Sequence, residues 1–107
     1  MRVVLCNCPP AEAEGLAKQL VEEHLAACVN IIPSVRSIYV WKGKVEDEQE
    51  STLLIKVSAD RVHALRERIV ALHSYETVEV LSLPVYLDES EPSYVDWVRM
   101  VCATPQL

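Results

Sequence analysis

Only two glycines, Gly15 and Gly43, and no phenylalanine occur among the 107 residues. Two isolated glycines cannot build a phosphate cradle, and neither G-x-x-x-x-G-K-[ST] nor G-x-G-x-x-G is present. A G-x-S-x-G nucleophile elbow is also missing. A binding role is therefore expected rather than turnover. Cations are scarce: 10 Lys and Arg against 16 Asp and Glu give a formal net charge of −6. Nucleic-acid binding needs clustered Lys and Arg to displace counterions, and an anionic membrane surface attracts the same clusters. Neither partner is expected. No apolar run approaches the length of a membrane-spanning helix. The N-terminus has no apolar leader and cleavage pattern, so a cytoplasmic protein with four reduced cysteines is expected.

Half of the residues are hydrophobic, enough for a core, and the length suits one domain over 1–107. The stretch around which the chain is organised is 35–57, VRSIYVWKGKVEDEQESTLLIKV. Val35, Ser37, Tyr39 and Trp41 alternate with Arg36, Ile38 and Val40. Beyond Lys42-Gly43, Val45, Leu53, Ile55 and Val57 alternate with Glu46, Glu48 and Glu50. Period two, β-branched and aromatic residues, and a glycine at the reversal predict a long hairpin. Arms of about 12 residues reach roughly 40 Å, whereas a domain of this size has a radius of gyration of about 13 Å. Such a ribbon overhangs its own body and needs a partner, most simply another copy of the chain.

The rest falls in place around it. Arg2 to Cys8 alternates as a first strand, and Pro9-Pro10 ends it and opens a helix. That helix carries Leu16, Ala17, Leu20 and Val21 on its inner side. Residues 28–41 form one strand bent at Pro33. Asp60 is expected to cap a second helix, with Val62, Leu65, Ile69 and Leu72 inward. A fourth strand is expected over 78–87, VEVLSLPVYL. A third helix follows Ser90 or Ser93, with Tyr94, Trp97, Val98 and Val101 as its apolar stripe, and the tail 104–107 is expected to be loose. The order βαββαβ plus a terminal helix is the α+β, ferredoxin-like pattern.

Few residues carry chemistry. Cys6 and Cys8 share a strand face, where a soft metal could meet both sulfurs; as bland strand residues they would simply be buried. Cys28 and Cys102 read as core. His73 closes the second helix, where the dipole favours a cation, or where an imidazole could line a cleft. The segment Tyr75-Glu76-Thr77-Val78-Glu79 is a polar, aromatic connection of the kind that borders sites, with Glu76 and Glu79 expected to pair with Lys56 or Arg36 or to bind a cation. Glu46, Glu48 and Glu50 sit about 6–7 Å apart in sequence, too far to share one ion tightly. Trp41, beside the turn, suits a packed interface.

The runs LAACVNIIP (25–33), SIYVWKGK (37–44), LLIK (53–56), LHSYETVEVLSLPV (72–85) and YVDW (94–97) resemble the CutA family of divalent-cation tolerance proteins over nearly the whole chain. The resemblance implies a homotrimer built through the hairpin and a role in tolerating divalent metals, copper above all. It implies copper ligands at Cys6 and His73. Leu72 takes the place of a further family histidine and offers no ligand; Cys8 is the candidate substitute. Thiolate and imidazole must both lose a proton to bind. The family also resembles PII signalling proteins in architecture, which implies a trimeric sensor with ligand clefts between subunits and Trp41, Lys56, Tyr75 and Glu76 as candidate cleft residues. A scaffold without ligand chemistry is the third reading.

Overall fold

The computed structural model describes residues 1–103; the tail expected to be loose lies outside them. Four strands and three helices follow one another as β1 (Arg2–Cys8), α1 (Pro10–Glu22), β2 (Cys28–Trp41), β3 (Lys44–Val57), α2 (Val62–Leu72), β4 (Leu81–Pro84) and α3 (Pro92–Ala103). The strands form one antiparallel sheet in the order β2-β3-β1-β4. This is the ferredoxin-like α+β arrangement expected from the sequence.

Alternation decides which face is covered. Val4 pairs with Ile55, Cys6 with Leu53 and Cys8 with Ser51, and all six are buried under the helices. Leu16 and Leu20 of α1, Leu65 and Ile69 of α2, and Val95, Val98 and Cys102 of α3 close over them. Each large side chain fully buried here stabilises the fold by about 1.5–3 kcal/mol. Val3, Leu5 and Asn7 project to the other face, beside Lys56, Leu54 and Thr52.

The hairpin has the expected length. β2 and β3 pair from Cys28↔Lys56 to Trp41↔Lys44, but β1 reaches only from Val57 to Ser51. Residues 44–50 of β3 therefore pair with β2 alone. Lys42 and Gly43 have φ of 51° and 78°, the two positive values that a tight two-residue hairpin turn demands. The principal extents are 44 × 34 × 22 Å and the radius of gyration is 14.5 Å, above the roughly 13 Å of a compact chain of this length. The register shifts between Ile32 and Val35, so the bend expected at Pro33 is a bulge. Ser51 Oγ donates to the Pro33 carbonyl across it at 2.8 Å.

Several expectations need correction. The fourth strand covers only Leu81–Pro84, because it pairs with Arg2 to Leu5 and no further; residues 73–80 run along the rest of the β1 edge as a loop. Asp60 makes no capping bond. It lies in a 3₁₀ turn, Ala59–Arg61, that precedes α2. The inner side of α3 is Val95, Val98 and Cys102, whereas Tyr94 and Trp97 are 41% and 40% exposed. They stand one position off the i, i+3, i+7 row and stack on each other, ring centroids 5.7 Å apart. Cys28, expected in the core, is half-buried at the start of the edge strand β2.

Candidate functional site

Under the overhanging hairpin, on the face away from the helices, lies an open cleft of about 800 Å³. The bulge in β2 matters here. Past it, Ser37 pairs with Glu48, Tyr39 with Glu46 and Trp41 with Lys44, and directly paired residues share a face. Two aromatic rings and a row of carboxylates thus line one wall. The loop 73–80 supplies the other with Ser74, Tyr75, Glu76, Thr77, Val78 and Glu79, and Asn7 reaches in from β1.

The loop is tied down at four points. The His73 Nε2–H donates to the Asn7 carbonyl at 2.8 Å, and Nδ1 accepts the Tyr75 backbone N–H at 3.1 Å. The His73 and Tyr75 rings stack with centroids 4.6 Å apart. Ser74 Oγ donates to Glu12 at 2.7 Å, and Tyr75 Oη donates to Glu50 at 2.9 Å. At the rim, Lys42 Nζ lies 3.8 Å from Glu76 and 5.5 Å from the Trp41 ring centroid.

The cleft is electrostatically negative. Glu50 is only 6% exposed. Its neighbour Glu79 has its carboxyl pushed up, by burial first and then by the Glu50 charge. The Tyr75 phenol is raised too, by burial and then by its bond to Glu50. Tyr39 donates to Glu48 at 3.1 Å and is raised by burial and that carboxylate. The ion pairs of the described residues use Glu14, Glu23, Asp47, Glu76 and Asp96. Glu46, Glu48, Glu50 and Glu79 have no such counter-cation.

A family model described as CutA1 divalent ion tolerance protein matches residues 2–101. The chain belongs to this CutA1 family. It is 47% identical over 98 residues to the divalent-cation tolerance protein CutA of Thermus thermophilus, covering 91% of this chain and 93% of that protein. It is 47% identical over 93 residues to the Protein CutA homolog of Xenopus laevis, covering 86% of this chain and 60% of that protein. Human Protein CutA is 43% identical over 96 residues, 89% of this chain. The chain thus spans about half the length of the human relative, 52%. Among solved structures, the apo form of the PII-like protein CutA from Nostoc sp. PCC 7120 superposes with a TM-score of 0.92 at 43% identity, covering 95% of this chain and 97% of that one.

Membership in a family named for divalent ions puts the Cys6–His73 pair to a chemical test. A metal needs a thiolate and a free imidazole lone pair. Cys6 is fully buried on the helix side of the sheet. Its thiol is pushed up to about 12, by burial first and then by Cys8, Glu79 and Glu50. Cys8 is buried beside it and pushed up to about 11, by burial first and then by Glu12 and Glu50. His73 spends one ring nitrogen as donor and the other as acceptor. Among the described residues no three His, Cys, Asp or Glu side chains gather as a metal-holding group. The cysteine–histidine donor set does not fit a copper ion in this conformation.

The cleft residues fare differently. Trp41, Tyr75 and Glu76, expected at a cleft between subunits, line this cleft within one chain. Lys56 does not: it pairs with Val3 and Cys28 at the opposite end of β3. Glu76 pairs with Lys42, and Arg36 forms a two-pronged bond with Asp47 instead. Tyr39, Glu50 and Asn7 were not singled out as cleft residues from the sequence. For Asn7 a signal existed, since Cys6 and Cys8 facing inward must turn it outward. For Tyr39 the signal is its alternation with Trp41.

Proposed function

We propose that this chain is one subunit of a self-associating, PII-like binding protein linked to divalent-cation tolerance, and that a cation enters the cleft under the hairpin. The observation that carries the reading is that Glu46, Glu48, Glu50 and Glu79, around a cavity of ligand size, have no ion-pair partner among the described residues. An acidic wall repels anions, so a nucleotide is the wrong ligand for it. The protein acts by binding, in the cytoplasm, without turning its ligand over.

The assembly is a homotrimer held through the hairpin. Val40 and Val45 face one another across the ladder and are 69% and 68% exposed, with Ile38 beside them at 65%. An apolar tip of that kind on a two-stranded ribbon favours burial against another copy. Copper on Cys6 and His73, with or without Cys8, finds no support in the donor geometry.

Thermal unfolding of the assembled protein against a panel of metal salts, amines and nucleotides tests the cleft reading. Cations are expected to raise the melting temperature by mass action, and the Glu48→Gln, Glu79→Gln double variant to cancel the shift. A rise with anions alone, or one unchanged in that variant but lost in the Cys6→Ala, His73→Ala variant, sinks it.

A further inference from the structure

We draw no further inference here: the strongest candidate, the apolar groove that Ala17 and Val21 of α1 form with Val29 and Ile31 of the edge strand β2, carries nothing because nothing in the structure shows what covers it.

Discussion

Tyr75 Oη donates to Glu50 across 2.9 Å, joining the loop after α2 to the middle of β3 at a carboxylate that water hardly reaches. The bond links residues 25 positions apart and closes one side of the cleft. Its removal leaves the buried Glu50 acceptor without its donor. Tyr75→Phe should destabilise the protein by about 1–3 kcal/mol, read from chemical denaturation at fixed protein concentration. A change near zero would mean that Glu50 finds water as readily as the phenol.

A second prediction concerns acid. Arg68 grips Glu23 with two bonds, at 2.8 and 2.9 Å. Those bonds, with one from Gln19, hold the Glu23 carboxyl below the usual carboxylate range. A carboxyl depressed in the folded state stabilises above its unfolded value, and that stabilisation disappears as pH falls through the folded value. Glu23→Gln should therefore be less stable than the parent at neutral pH and match it in strong acid. Parallel melting-temperature profiles from pH 7 down to 2 would contradict this.

Thiol chemistry gives a third. Cys6, Cys8 and Cys102 are buried and Cys28 is half-buried. Burial pushes the Cys6 and Cys8 thiols up to about 12 and about 11, and the thiolate is the reactive form. At pH 8 a water-soluble thiol reagent should modify Cys28 first and leave Cys6 and Cys8 untouched until denaturant is added. Prompt labelling of Cys6 in the native protein, identified by peptide mass, would show that β1 opens readily.

The hairpin tip supplies the fourth. Val40→Glu with Val45→Lys places a charge pair on the apolar overhang without disturbing the turn. Sedimentation equilibrium should fall from three times the 12.0 kDa chain mass toward that of a single chain. A parent mass of one chain, or a variant mass equal to the parent's, would refute assembly through this ribbon.

The regular elements were legible because each rests on local periodicity. The long arms announce themselves through alternation from Val35 to Trp41, and Gly43 marks the reversal. The loop over the β1 edge was not legible. Its path depends on His73 meeting Asn7 and Tyr75 meeting Glu50, contacts between distant residues that leave no period in the sequence. The expected ten-residue fourth strand failed for the same reason: Val78 to Val80 have strand character, yet the Asn7 carbonyl beyond the β4 pairing is taken by His73. In the sequence Glu50 stands with Glu46 and Glu48 as one evenly spaced row. Only the fold shows that the row runs from an exposed tip into a buried carboxylate.

The extra residue in β2 near Pro33 has a genetic corollary. Ile32 pairs with Thr52 and Val35 with Glu50, so two residues of β2 stand against Ser51 alone. Deleting Ser34 alone would leave Val35 opposite Glu50 and every pair out to Trp41 and Lys44 in place, so Tyr39 and Trp41 would keep their face. A loss of one residue here is absorbed within the ribbon, which makes the bulge a place where descendants of this gene can vary in length without redirecting the tip.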